Sequence, residues 1–119
     1  MNECWNKAFE SMAKKALELE ATGVCGIAKK EANGMINLKL YDCGKGYDEW
    51  GNFYSLVCAK MMQIVRTGEA SGTESDLKGE FLNFIGGIFE GDYFVAFSGA
   101  EGHVDLEIAK VGLDILVSE

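Results

Sequence analysis

Proline is absent from this sequence, histidine occurs once, at His103, and arginine once, at Arg66. Without proline no turn is stiffened by a fixed φ, so the chain must turn on its fifteen glycines. A lone histidine leaves any first-row metal site to carboxylates or thiolates. Positive charge is scarce: 11 Lys+Arg stand against 19 Asp+Glu, a net charge of −8. No Lys/Arg cluster offsets it, so binding to nucleic acid or to an anionic membrane surface is not expected. Apolar runs are only a few residues long, too short to span a bilayer. Met1-Asn2-Glu3 opens no basic segment followed by an apolar stretch, so no secretory signal is read and a cytoplasmic protein is expected.

What is present suits a folded domain. Hydrophobic residues make up 48% of the chain, enough for a core without metal or disulfide, and 119 residues are the size of one domain, taken as 1–119. Cys4, Cys25, Cys43 and Cys58 form no CxxC, which argues against a structural zinc site. In a reducing compartment they stay thiols. Cys25 and Cys58 read as small core residues and Cys43, between Asp42 and Gly44, as more exposed.

The periodicity predicts a helix over about Glu3–Thr22, with Trp5, Ala8, Phe9, Met12, Ala16 and Leu19 on one face and Gly23 as its stop. Val24–Glu31 and Met35–Tyr41 read as a hairpin around Asn33-Gly34, the second strand placing Ile36, Leu38 and Leu40 on one face. Asp42–Asn52 reads as loop. A second helix is predicted over Phe53–Thr67, with Leu56, Val57, Lys60, Met61, Ile64 and Val65 on its core-facing stripe and the stem of Lys60 at the margin. Leu77–Ile85 is ambiguous between helix and strand. Ile88–Glu90 and Tyr93–Ser98 read as a second hairpin around Gly91-Asp92, and the almost wholly apolar Tyr93–Phe97 run marks a central strand. A last helix over Val104–Val117 carries the stripe Val104, Ile108, Val111, Ile115. The order helix, hairpin, helix, hairpin, helix predicts an α+β domain with an antiparallel sheet of about five strands.

No phosphate-binding loop or dinucleotide fingerprint is present, and no convergent catalytic set is found. Ser98, His103 and Asp105 could formally make a hydrolase triad, but nothing resembles a nucleophile elbow. Gly99-Ala100-Glu101-Gly102 precedes the last helix and could present backbone N–H groups to an anion. Glu101 and Asp105 fit better as acids that complement the helix dipole. His103 is a surface or helix-start residue, a haem or metal ligand, or a general base. Phe81, Phe84, Phe89, Phe94 and Phe97 are core or the lining of a flat apolar pocket.

The C-terminal third carries a spaced pattern: Gly86-Gly87-Ile88, Gly91, Phe97-Ser98-Gly99-Ala100, Asp105, Ile108-Ala109 and Gly112-Leu113. It resembles the GlcG/HbpS-like haem-binding and haem-degrading family, which includes the C-terminal domain of PduO-type corrinoid adenosyltransferases. Ala16-Leu17-Glu18-Leu19, Asn33-Gly34 and Ala59-Lys60 extend the resemblance toward the N-terminus. The family usually has proline after its Gly-Gly pair and again before the last helix, where this chain has Phe89 and Gly102, and an acidic residue where this chain has His103.

The resemblance implies a profilin-like, three-layer α/β/α arrangement, a small-molecule ligand such as haem or a related tetrapyrrole, and symmetric self-association. Ala109 and Gly112, three apart on the last helix, would permit close packing on a sheet or on a partner subunit. The candidate ligand-binding residues are His103, the Ser98-Gly99-Ala100 turn, Tyr93 and Lys60, with no catalytic residue and no metal ligand assigned. Two other functions stay open: an oligomeric scaffold or accessory subunit without ligand chemistry, and an enzyme acting on a small carboxylate or corrinoid-related substrate, for which Lys39, Lys45, Lys60 and Arg66 are the available cations.

Overall fold

The structure, a computed structural model, describes residues 3–48, 51–67 and 87–118. The ambiguous Leu77–Ile85 segment, with Phe81, Phe84 and Gly86, lies outside them. The elements run α1 (Glu3–Glu18), β1 (Gly23–Lys30), β2 (Ile36–Cys43), β3 (Tyr47–Asp48), β4 (Gly51–Asn52), α2 (Phe53–Thr67), β5 (Gly87–Glu90), β6 (Tyr93–Ser98) and α3 (Gly102–Ser118). The fold is mixed α and β. Among the described residues the main sheet has four strands, in the order β2-β1-β6-β5, every pair antiparallel. β3 and β4 add a two-residue ladder within the stretch expected to be loop.

β1 and β6 lie at the centre because their sequences are apolar on both faces. Cys25 and Ile27 of β1, with Val95 and Phe97 of β6, pack against Trp5, Phe9 and Met12 of α1 and Ile108 and Leu113 of α3. Val24 and Ala28, with Phe94 and Ala96, pack against Val57, Met61 and Ile64 of α2. Of the phenylalanines read as core or pocket lining, the three among the described residues divide between the two cores: Phe89 and Phe94 stack at 5.7 Å on the α2 side, and Phe97 is buried on the other.

α1 ends four residues before the expected Thr22. Glu20 adopts a left-handed backbone (φ 57°), the Glu20 N–H donates to Leu17 O and the Ala21 N–H to Ala16 O. This is a Schellman cap with Glu in the place usually held by glycine, which hid the stop from sequence reading. Gly23 instead opens β1. A side chain there would run into the Ser98 carbonyl, and one at Gly99 into the Thr22 carbonyl, so two glycines let the backbones of β1 and the end of β6 touch.

The β5–β6 hairpin turns on Gly91-Asp92, with Gly91 at φ 59° and Glu90 paired to Tyr93. A positive φ at the first central residue alone makes this a type II′ turn. On α3 the buried residues are Asp105, Ile108, Ala109, Gly112, Leu113 and Leu116, so the inward face is rotated from the expected one and Val104 and Ile115 lie at its margin. Ala109 and Gly112 serve contacts within the chain rather than a subunit contact. A Cβ at Gly112 would come within 2.5 Å of Met12 Sδ, and this close approach seats α1 on α3. Among the described residues no helix is long and apolar enough to cross a membrane.

Candidate functional site

Three elements converge where β6 turns into α3. Gly99 lies over Gly23 and forces a sharp exit from the strand. Glu101 then starts the helix, its carbonyl accepting the N–H groups of Val104 and Asp105. Asp105 reaches back, and its Oδ1 accepts the Ala100 N–H at 2.9 Å. The turn is thus held by the side chain of the helix it begins, in the manner of a helix N-terminal cap.

From the other side of the sheet, Lys60 of α2 comes up beneath this turn. Its Nζ donates to Phe97 O at 2.7 Å and to Asp105 Oδ2 at 2.9 Å. Both residues are 3% exposed. Lys60 belongs to the stripe Val57, Lys60, Met61, Ile64, whose spacing of three, one and three puts all four on the buried face of α2. Its position is interior, not marginal.

Burial, the largest influence on each partner, lowers the Lys60 pKa and pushes that of Asp105 up to about 6. Their mutual attraction and hydrogen bond act against burial in both cases, and the Ala100 N–H adds to the restraint on Asp105. The pair joins α2 to α3 past the end of the central strand. Breaking it leaves a charge in a dry site.

The candidate residues fall into three groups. Ser98, Gly99 and Ala100 form the turn itself, with Ser98 buried and paired opposite Val24. Lys60 lies under that turn, committed to Asp105 and the Phe97 carbonyl. His103 stands above it on the first turn of α3, with its side chain 78% exposed and Nδ1 3.6 Å from Glu101 Oε2. Tyr93 is elsewhere. It begins β6 where Ser98 ends it, five residues and roughly 17 Å along the strand. There its ring meets Trp5 edge-on at 6.3 Å and lies 5.5 Å from Lys29 Nζ.

The formal triad is not assembled, because both Asp105 oxygens are occupied by Lys60 and the Ala100 N–H. The two helix N–H groups that take the Glu101 carbonyl are likewise engaged. Among the described residues no cluster of three metal-ligating side chains is found.

Sequence reading missed the surface that adjoins His103. His103, Leu106, Glu107 and Lys110 recur at steps of three, one and three and line an open depression of about 350 Å³ on the outward side of α3. That size lies at the lower end of small-molecule sites. The periodicity was visible, but the apolar stripe of the same helix drew the reading to the opposite face.

No family model matches the sequence, and no curated protein matches it. Solved structures do. The PduOC:haem complex matches with a TM-score of 0.66 at 16% identity, over 97% of this chain and 94% of that one. The ORFY protein of Klebsiella pneumoniae, of the family DUF336, matches with a TM-score of 0.73 at 15% identity, over 100% of this chain and 92% of that one. The class is therefore clear at the level of architecture: this chain has the fold of PduO C-terminal and GlcG-like proteins, to which the motifs in its last third pointed.

Proposed function

We propose that residues 1–119 form a single-domain, divergent member of the GlcG/HbpS-like family that binds haem or a related tetrapyrrole at the start of α3. The observation that carries this reading is the placement of the chain's single imidazole, exposed on the first helical turn beside the Ser98-Gly99-Ala100 turn, in a fold shared with a protein solved in complex with haem. The donor set fits the ligand. The His103 imidazole suits a haem iron, Leu106 offers an apolar contact to the ring, and the Lys110 ammonium, two turns on, suits a propionate carboxylate. Iron chemistry is what haem would supply. The chain's part is to present His103 and to keep the turn rigid, which Lys60 does from below through Asp105 without itself facing the depression. Tyr93, at the far end of β6, shares none of this surface.

Titrating the apoprotein with haemin tests the reading. A Soret shift that saturates at one haem per chain, and that is lost in His103→Ala and weakened in Lys110→Glu, supports it. A shift equal in wild type and His103→Ala overturns the site, and no saturable shift overturns the ligand.

Self-association is a second reading favoured by a specific observation. Among the described residues β2 is an edge strand, and Met35, Ile36 and Leu40 beside or within it are exposed. An apolar edge of this kind is a template for pairing with a second copy. Sedimentation equilibrium of wild type against Ile36→Lys tests it: a dimer lost in the variant supports pairing through β2, and a monomeric wild type removes it.

A further inference from the structure

We propose that Cys25 and Cys43 form a peroxide-reactive dithiol, in which a hydroperoxide oxidises Cys43 and Cys25 then closes a reversible disulfide. The β1–β2 register pairs Gly23 with Cys43 and Cys25 with Tyr41. Cys25 and Cys43 are therefore diagonal neighbours on one face of the sheet. Their sulfurs are 3.2 Å apart, about 1.2 Å more than a disulfide bond requires.

The two thiols differ in access. Cys25 is fully buried, whereas Cys43 is half-buried at the lip of an open depression of about 390 Å³, lined also by Leu17, Ala21, Thr22, Tyr41 and Gly44. A small hydroperoxide can reach one sulfur but not the other. The acidities of the two thiols differ to match. The hydrogen bond between the two sulfurs, in which either can be the donor, draws the Cys43 pKa down, against burial and the neighbouring Asp42 carboxylate. The same hydrogen bond, with burial, pushes Cys25 up. Of the two, the outer sulfur is thus the more readily ionised to the thiolate that peroxide attack needs.

Cys4 and Cys58 lack this arrangement. Cys4 Sγ lies 3.9 Å from Ile115 O, and Cys58 is on α2 on the opposite side of the sheet, its pKa raised by burial.

The chemistry balances. The Cys43 thiolate attacks an oxygen of the hydroperoxide, the O–O bond breaks, and the departing alkoxide or hydroxide takes up a proton. Cys43 is now a sulfenic acid. The Cys25 sulfur attacks Cys43, an S–S bond forms as the S–O bond breaks, and the oxygen leaves as water with the Cys25 proton. In sum, two thiols and one hydroperoxide give a disulfide, an alcohol or water, and water. A low-molecular-weight thiol restores both by exchange. The bond would tie the end of edge strand β2 to β1. No step involves His103 or a bound tetrapyrrole, so this site and the ligand site fail or stand separately.

The test uses the reduced, ligand-free full chain and hydrogen peroxide. After alkylation of the remaining thiols, the expected product has lost about 2 Da across the bridged pair, and trypsin releases peptides 16–29 and 40–45 as one disulfide-linked species. In Cys25→Ser, dimedone traps Cys43 as its sulfenic acid, and in Cys43→Ser the consumption of peroxide slows by roughly tenfold or more. Oxidation of Cys43 without linkage, linkage through Cys4 or Cys58, or four thiols still free after peroxide would overturn the proposal. The wild-type peptide map decides the matter even where a serine variant fails to fold.

Discussion

Replacing Asp105 with Asn keeps an oxygen for the Ala100 N–H but removes the charge that faces Lys60. The ammonium then remains 3% exposed, with only the Phe97 carbonyl at 2.7 Å to hold it. Separating a buried pair in this way costs about 3–5 kcal/mol, because the remaining ion keeps its desolvation penalty and loses its compensation. Lys60→Met does the converse and should cost a similar amount, including about 1 kcal/mol for the unpaired Phe97 carbonyl.

The double variant Lys60→Met/Asp105→Asn strands no charge. Burial, the largest influence on both pKa values, already disfavours the two ions in the folded state. The double variant should therefore lie within about 2 kcal/mol of wild type, giving a coupling of several kcal/mol in a double-mutant cycle. Urea unfolding followed by circular dichroism measures all four stabilities, and unchanged m-values would license the comparison. Single variants that each cost under about 1 kcal/mol, or costs that add to within about 0.5 kcal/mol, would refute the argument that a dry ion pair joins α2 to α3.

Other outcomes follow from the same geometry. Glu20→Gly relieves a left-handed residue at a Schellman cap and should stabilise the protein by about 0.5–1 kcal/mol in urea unfolding, whereas Glu20→Val should destabilise it. Gly99→Ala drives a Cβ into the Thr22 carbonyl and should cost several kcal/mol; a melting temperature within about 2 °C of wild type would show that the β1–β6 approach is looser than described. Closing the Cys25–Cys43 disulfide should raise stability by about 3 kcal/mol, through the loop of seventeen residues it encloses, and unfolding with and without reductant would register it.

Elements governed by local pattern were legible in the sequence. α2 falls on the Phe53–Thr67 span its periodicity predicted, and β5 and β6 flank the expected Gly91-Asp92 turn. The end of α1 was not legible, because its cap uses Glu20 rather than glycine and no local signal marks a glutamate in the left-handed region. Lys60 and Asp105 each stood out alone, one as a marginal cation and the other as a dipole acid. Their pairing spans forty-five residues and depends on how two helices on opposite faces approach one strand end, which periodicity does not encode. The rotation of the α3 inward face has the same origin, since burying Asp105 brings Gly112 and Leu116 inward with it. Tyr93 joined the candidate site through the aromatic character of its strand, but strand geometry separates it from Ser98 by the length of β6. Cys25 and Cys43, eighteen residues apart, looked unrelated until the hairpin register put them on the same face.

The proposed ligand site is tested most directly by mapping where a tetrapyrrole lands. Amide chemical shifts of the isotopically labelled protein, recorded while diamagnetic gallium protoporphyrin is added, distinguish the two ends of β6. The prediction is that Ser98–Ala100, His103, Leu106 and Lys110 shift together and saturate, while Lys29 and Tyr93 stay still. Saturable shifts centred on Tyr93 and Lys29, or none at the start of α3, would contradict it.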